Sequence, residues 1–518
     1  MRLPEIPEHC NASAAFIDDH LTQGRGERVA LRWRDEVVTY RQLAANVNKT
    51  GHALRRLGVR PEERILLVAL DSPAFVYSFW GGIKMGAVPV PVNTALRSEE
   101  YAYLLDDSRA TTLIVSAELW PTVAPVVQSR SIPTIIVGAG QEQETGRLDF
   151  TEWIESEASE LDPEPTHRDD AAFWLYSSGS TGAPKGAVHQ HRNLVYCSDT
   201  YAREILAIGP DDVTLAAPRL FFAYGLGGGM NFALRVGATA ALMSERPTPD
   251  GMFAAIQEYK PTIFFGVPTL YAAMLQVKDA EQQYDLSSVR VCVSAGEPLP
   301  GELFTRWQER FGVEILDGIG TTEALHIFLS NRAGQVRPGS SGRPVAGYEI
   351  QLQTEDGQTV AQREIGDLLV SGGSLTSGYW RKRELTQQVI YGEWLRTGDK
   401  YYQDADGYYW YCGRADDMLK VSGQWVSPAE VEGLLFAHPA VLEAAVVGWE
   451  DKDRLLKPKA YVVLQEGQVP SAALAEELSA FVKARTLPHK YPRWVEFVAE
   501  LPKTTTGKIQ RYKLRTQQ

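Results

Sequence analysis

The stretch Tyr176–Gly186 reads Y-S-S-G-S-T-G-A-P-K-G, and the reading of the whole chain begins there. Five hydroxyl side chains, three glycines and one lysine fall within eleven residues. Glycines let a backbone approach a ligand and present its N–H groups. Ser177, Ser178, Ser180 and Thr181 add hydroxyls, Gly179 and Gly182 add freedom of the main chain, and Lys185 adds a cation. Together they make a device for holding phosphates. The apolar run Ala171–Leu175 before it has strand length, and a helix is expected from about His191–Asn193. Strand, glycine-rich loop and helix is a common phosphate-binding order. The pattern is neither G-x-x-x-x-G-K-[ST], since Pro184 precedes Lys185 and Gly186 follows it, nor G-x-G-x-x-G.

Composition narrows the function classes. The 518 residues are 44% hydrophobic and 23% charged, the profile of a globular chain with an ample core. With 52 Lys plus Arg against 65 Asp plus Glu, the net charge is −13. An acidic chain without basic runs argues against nucleic acid, and against stable association with anionic membranes. Cys10, Cys197, Cys292 and Cys412 lie far apart and form no metal spacing, which fits a reducing cytoplasm. The first residues show no apolar signal-peptide core. Phe221–Met243 is apolar enough to be weighed as a membrane span, but its glycines and Arg235 favour buried α/β elements.

Outward from the glycine-rich loop, strand and helix patterns alternate. Arg64–Leu70, Val88–Asn93, Thr111–Val115, Thr134–Val137, Thr262–Pro268 and Val289–Gly296 read as strands, and Ala74–Ala87 as a helix. The expected fold is α/β, with parallel sheets flanked by helices. From about Tyr348 the strands become short and turn-separated, suggesting a small β-barrel-like lobe. Beyond Arg414 a small α+β unit follows, with helices expected over Ser427–His438 and Ser471–Arg485. The expected division is 1–413 and 414–518.

Five patches in order then carry a family likeness. The loop above, G-I-G-T-T-E (Gly318–Glu323), R-T-G-D (Arg396–Asp399), G-R-A-D-D-M-L-K-V-S-G (Gly413–Gly423) and P-K-T-T-T-G-K-I-Q-R (Pro502–Arg511) resemble the motifs of the adenylate-forming enzymes. These include acyl-CoA synthetases, adenylation domains and luciferase, and the likeness runs from roughly Val38 to Lys513.

The resemblance implies ATP, Mg²⁺ and coenzyme A as ligands, and a carboxylic acid activated through an acyl-adenylate. It implies that Lys185 and the loop hydroxyls hold the β- and γ-phosphates, that Thr322 contacts phosphate, and that Glu323 binds Mg²⁺. Asp399 would accept the ribose hydroxyls from a turn, with Arg414 beside it. Gly296, Glu297, Asp317, Gly318 and Ile319 would wall the adenine, Ile319 standing where many members carry an aromatic residue. Lys508 would serve the α-phosphate and the attacking carboxylate. Asp416 would be the hinge of a C-terminal domain that rotates between two half-reactions and brings Lys420–Gly423, including Gly423, to the pantetheine tunnel.

For the acid, the resemblance points to Phe222, Ala223, Tyr224, Gly225, Gly320, His326 and Ile327 as pocket walls. Small residues beside Phe and Tyr suit a flat aryl ring. L-F-F-A-Y-G-L-G and L-H-I-F-L-S-N resemble the benzoate–CoA ligases. The expectation is therefore AMP-forming ligation of a small aromatic acid, foremost benzoate, to CoA. Alternatives are 2-aminobenzoate, 4-hydroxybenzoate, another small acid, or loading of a carrier protein. Packing of His326 as a buried polar residue and contact with the ring edge both stay open, as does a homodimer.

Overall fold

A computed structural model of the protein describes residues 4–128, 130, 132–138, 147–177, 183–415, 417–421, 424–452, 455–503 and 509–515. Two sheets dominate the N-terminal part. A five-stranded sheet has the order Val88–Pro91, Arg64–Val68, Thr112–Ser116, Thr134–Val137, Arg147–Asp149, and every neighbouring pair is parallel. The first four of these strands are short apolar runs buried almost throughout, as parallel strands covered by helices must be, while Leu148 in the edge strand Arg147–Asp149 is exposed.

The nine-stranded sheet carries the site. Its order is Arg343–Pro344, Ile327–Ser330, Ile315–Gly320, Val291–Ser294, Ile263–Gly266, Val213–Ala216, Thr239–Leu242, Val29–Trp33, Glu36–Thr39. The central pairs are parallel and both edges antiparallel. The C-terminal ends of parallel strands gather loops at one rim, where open α/β sheets bind ligands. Asp317 and Ser294 pair in register at that rim.

The helices begin where their sequences say they should. Thr39 and Gln42 form a reciprocal capping box for Tyr40–Arg56, and Ser72 caps Pro73–Lys84 with proline in its first turn. The apolar run Phe221–Met243 folds as short helical pieces between Ala223 and Val236 and then the strand Thr239–Leu242, almost all buried in the main core. Among the described residues no helix is long and apolar enough to cross a membrane.

A five-stranded antiparallel lobe follows, built from Glu349–Gln353, Gly366–Ser371, Ile390–Tyr391, Trp394–Gln403 and Tyr409–Arg414. The smaller C-terminal unit pairs Val441–Glu450 with Leu456–Leu464 and Trp494–Phe497, beside the helices Pro428–Phe436 and Ala472–Lys483. Its hydrophobic clusters draw only on residues from Leu419 to Leu514. The α/β expectation, with parallel sheets, a β-rich lobe and a small α+β unit, matches this architecture.

Two local expectations change. The glycine-rich loop joins two antiparallel strands, Ala171–Ser177 and Lys185–Gln190, with Ser177 opposite Lys185; the helix His191–Cys197 starts only after the second strand. The order is strand, loop, strand, helix. K-G-A-V-H-Q pairs on both sides, with Ala171–Ser177 and with Gly378–Tyr379, and this tertiary pairing holds it as a strand. Asp399 does not end a turn. It sits inside the strand Trp394–Gln403, where Gly398 (φ 79°) widens the ladder into a bulge against Gly366–Ser371.

Candidate active site

Glu323 is the centre of the site. It stands in a one-turn 3₁₀ segment, Thr322–Ala324, entered from the strand Ile315–Gly320. Ser177 Oγ donates to its Oε1 at 3.0 Å and Tyr379 Oη donates to the same oxygen at 2.7 Å. Thr321 donates to its Oε2 and also takes the Glu323 N–H at 3.1 Å. Burial by itself would raise this carboxyl. Hydrogen bonds from Thr321, Tyr379 and the main chain, together with the charge of Lys185, outweigh it and hold the group below the ordinary glutamate range. The result is a half-buried, preformed anion.

Lys185 reaches the same place from the strand beyond the loop. Its Nζ lies 3.4 Å from Tyr379 Oη and 4.6 Å from that ring's centroid. Tyr379 therefore stands between the cation and the anion. Burial, then the Glu323 charge, raise its phenol, so it stays a proton donor.

Both ends of the glycine-rich loop are anchored to the helix Ser98–Ser108. Tyr103 Oη donates to Pro184 O at 2.8 Å, and Tyr176 Oη to Asp107 Oδ2 at 2.7 Å. Asp107 O also takes the Trp380 indole N–H at 3.0 Å. Behind the site, His189 Nε2 is 2.8 Å from Thr322 O, and Thr376 N–H donates to Glu323 O at 2.7 Å. Burial pushes the His189 imidazole down to about 4, so it is neutral and its Nε2–H donates.

Of the other residues expected to meet the nucleotide, Asp317, Gly318 and Ile319 lie on the strand Ile315–Gly320 of the nine-stranded sheet. Asp317 is buried in the middle of its strand, where the parallel pairing with Val291–Ser294 ends, and burial pushes its carboxyl well above the usual range. Gly318 and Ile319 follow it, paired with Ser330 and Leu329. Gly296 and Glu297 follow the adjacent strand Val291–Ser294. Asp399 and Arg414 face one another in register, with Arg414 Nη1 3.2 Å from Asp399 Oδ1. Lys420 is exposed on Leu419–Val421, its Nζ 5.5 Å from the Trp425 ring. Ser178, Gly179, Ser180, Thr181, Gly182, Asp416, Gly423 and Lys508 lie outside the described residues.

Of the residues expected to wall the acid, Tyr224 and His326 pack with Tyr201 and Phe232 in one aromatic cluster. The His326 ring lies 4.5 Å from Phe232, 5.4 Å from Tyr201 and 5.6 Å from Tyr224, centroid to centroid. Its Nε2 is 3.3 Å from Tyr224 O, which assigns the proton to Nε2, while Nδ1 has no hydrogen-bond partner among the described residues. Burial pushes the ring down to about 3, so it is neutral. Tyr224 Oη lies 3.0 Å from Gly266 O and 2.9 Å from Val293 O, pinning the wall to the central strands. Ala223 is buried, Phe222 caps the helical turn Ala223–Leu226, and Ile327 pairs with Gly320.

Gly225 turns its α-carbon onto the carbonyl oxygens of Pro218 and Arg219, so its part is close main-chain approach. Gly227 lies against the His326 ring: a Cβ there would fall 2.4 Å from Cδ2. Between Glu323 and His326 the chain reverses at Leu325, with φ 68° and ψ −43° and a hydrogen bond from His326 N–H to Ala324 O at 2.9 Å. This positive-φ γ-turn is a strained conformation for leucine, and it separates Glu323 from His326 along the chain.

Sequence reasoning missed Tyr379, His189, Gly227 and the anchoring pair Tyr103 and Asp107. Nothing local marks any of them; Tyr379 and Lys185 are 194 residues apart.

The chain is similar to known proteins over nearly its whole length. Residues 18–380 match the model of the AMP-binding enzymes, and residues 430–508 that of the AMP-binding enzyme C-terminal domain. A benzoate–CoA ligase of Thauera aromatica is 50% identical, across 99% of this chain and 97% of its own. An anthranilate CoA ligase solved with anthranoyl-AMP superposes with a TM-score of 0.95 at 44% identity, covering 100% of this chain and 99% of that one. A benzoate CoA ligase of Burkholderia xenovorans superposes with a TM-score of 0.90 at 48% identity, covering 98% of this chain and 100% of that one. The protein thus belongs to the family of AMP-binding, adenylate-forming enzymes, as an AMP-forming acid–CoA ligase.

Proposed function

We propose that the protein joins benzoate to coenzyme A at the expense of ATP. The benzoate carboxylate attacks the α-phosphorus, the bond to the β-phosphate oxygen breaks, and pyrophosphate leaves. The CoA thiolate then attacks the acyl carbon of benzoyl-AMP, and AMP leaves with its phosphate oxygen. The first step brings an anion towards a triphosphate, so the site must supply fixed positive charge and donors.

The convergence of Ser177 and Tyr379 on one oxygen of Glu323, with Lys185 behind the Tyr379 phenol, carries this reading. Lys185 and the loop hydroxyls hold the β- and γ-phosphates, and Thr322 contacts phosphate. Among the described residues no cluster of three or more His, Cys, Asp or Glu could hold a metal. A lone, fully ionised Glu323 nevertheless fits Mg²⁺, which binds through one or two carboxylates and completes its shell with phosphate oxygens and water. Bound there, the ion would neutralise phosphate charge.

Asp399 and Arg414 take the ribose. Gly296, Glu297, Asp317, Gly318 and Ile319 line the adenine. Lys508 serves the α-phosphate and carboxylate from a unit beginning at residue 414 and hinged at Asp416. Lys420 and Gly423 reach the pantetheine.

Support for benzoate comes from the neutral, ring-lined wall of Ala223, Tyr224 and His326, and from half-identity to a benzoate–CoA ligase. A second acid, 2-aminobenzoate, is favoured by one observation: the chain is 44% identical to an anthranilate CoA ligase and superposes on it with a TM-score of 0.95. The test is pyrophosphate release over benzoate, 2-aminobenzoate, 4-hydroxybenzoate, furoate and hexanoate, with and without CoA. Benzoate should give the highest kcat/KM and yield a thioester with CoA. A preference for hexanoate, or adenylate without thioester, overturns the assignment.

A further inference from the structure

Asp71 has no part in the ATP site, yet it is one of the most completely buried acids in the chain. It lies between the strand Arg64–Val68 and the helix Pro73–Lys84 and is 5% exposed. Both its carboxylate oxygens face Leu220 N–H, at 3.2 and 3.3 Å, and Arg219 Nη1 lies 3.8 Å from Oδ2. Its carbonyl accepts from Ser244 Oγ at 2.7 Å, and that hydroxyl takes the Trp33 indole N–H at 2.8 Å. Arg219 also donates to Met243 O at 2.5 Å and to Glu245 O at 2.6 Å. One residue from the five-stranded half thus grips two segments of the nine-stranded half.

The first of those segments runs straight into Phe222, Ala223 and Tyr224. The turn is tight: Phe222 N–H donates to Arg219 O at 3.0 Å, and the Gly225 α-carbon rests on that same oxygen. A displacement at Leu220 therefore has no slack to absorb it before Ala223. We propose that Asp71 is a positioning residue for the acid pocket, setting the register of Phe222–Tyr224 through its carboxylate. This rests on the assignment of that strip as the pocket wall.

An asparagine could accept the Leu220 N–H equally well; only a carboxylate also pairs with Arg219. A buried charge is costly to keep unless its partner uses it. Burial raises the Asp71 carboxyl to about 7, opposed by Arg219 and the Leu220 N–H. The charged groups around it are Arg219 and, behind that, Glu245, which pairs with Arg34 at 2.9 Å. The pairing should therefore weaken as Asp71 takes up a proton below neutrality, while benzoate itself stays ionised.

The test is steady-state kinetics of Asp71→Asn and Asp71→Ala between pH 6 and 8.5, with Ala223→Leu alongside. Misplacing a positioning element costs about tenfold or more, so Asp71→Ala should raise the KM for benzoate by about that factor while those for ATP and CoA stay within about twofold. In the parent enzyme kcat/KM for benzoate should fall as pH drops through about 7, the carboxyl's own midpoint. Asp71→Asn should flatten that fall and raise the benzoate KM less than Asp71→Ala. Should Asp71→Ala not fold, the flattened profile of Asp71→Asn decides. An unchanged profile in Asp71→Asn, or equal changes in all three KM values, overturns the proposal. If Ala223→Leu alters the acid preference while Asp71→Asn changes nothing, only the role of Asp71 falls. If neither changes anything, the pocket assignment falls with it.

Discussion

The Tyr379 hydroxyl donates to Glu323 Oε1 at 2.7 Å while Lys185 Nζ stands 3.4 Å from the same phenol oxygen. A neutral group thus separates the cation from the carboxylate. The arrangement arises because Gly378–Tyr379 pairs with Lys185–Gln190, adding a third strand to the glycine-rich hairpin. Cation and anion can then both turn to a nucleotide without first breaking a direct ion pair.

Tyr379→Phe removes that bridge and keeps the ring under Lys185. A hydrogen bond to a charged group contributes about 1.5–3 kcal/mol, so the KM for Mg·ATP should rise by roughly ten- to a hundredfold. The KM for benzoate should stay near its parent value. Initial-rate kinetics with each substrate varied in turn checks the split; an equal rise in both would assign Tyr379 to general packing.

Lys508→Ala tests the division of labour between the half-reactions. It should abolish pyrophosphate release from ATP and benzoate, yet spare thioester formation from supplied benzoyl-AMP and CoA. Equal loss of both activities would remove Lys508 from the adenylation step alone.

Gly227→Ala tests the wall of the acid pocket. The new methyl would fall 2.4 Å from His326 Cδ2, in a core where the ring is held by Tyr201, Tyr224 and Phe232. Overpacking of this kind costs about 1–3 kcal/mol. The melting temperature should drop, and the KM for benzoate should rise as His326 is displaced. A variant with parental stability and parental benzoate KM would mean that the ring moves freely.

Stability should fall on mild acidification. Burial lowers His20, His189 and His191 to about 4 and His326 to about 3, against an ordinary value of 6.5. Below about 6.5 the unfolded chain takes up protons that the folded chain refuses, so stability present above that pH is lost as pH falls towards 4. Asp71 and Asp317, both raised by burial, act in the opposite sense over this range, since their folded forms hold protons that the unfolded chain releases. Asp18 and Glu36, also raised by burial, act with those two, but carboxyls held low by hydrogen bonds and charge, such as Asp212, Glu323 and Asp404, act with the four imidazoles and leave a net loss. Urea midpoints between pH 7 and 4.5 should decrease steadily; a flat profile would mean that the imidazoles are solvated.

The parallel sheets, the β-rich lobe, the small C-terminal unit and the chemistry class are legible along the chain. Those features are written locally: apolar runs of strand length, helix caps such as Thr39 with Gln42, and motifs whose residues act within a few positions of one another. Even so, local signals misplaced two details. K-G-A-V-H-Q is a strand because it has partners on both sides, and Asp399 lies in a bulge because Gly398 sits opposite a continuous neighbour strand. Folding in three dimensions is what makes Tyr379 bridge Lys185 and Glu323, His189 brace Thr322, and Asp71 grip Leu220 149 residues away. Tyrosine, histidine and aspartate are ordinary residues in their own neighbourhoods. Their roles come from burial and from partners contributed by other strands, and no periodicity along one chain encodes which strands will meet.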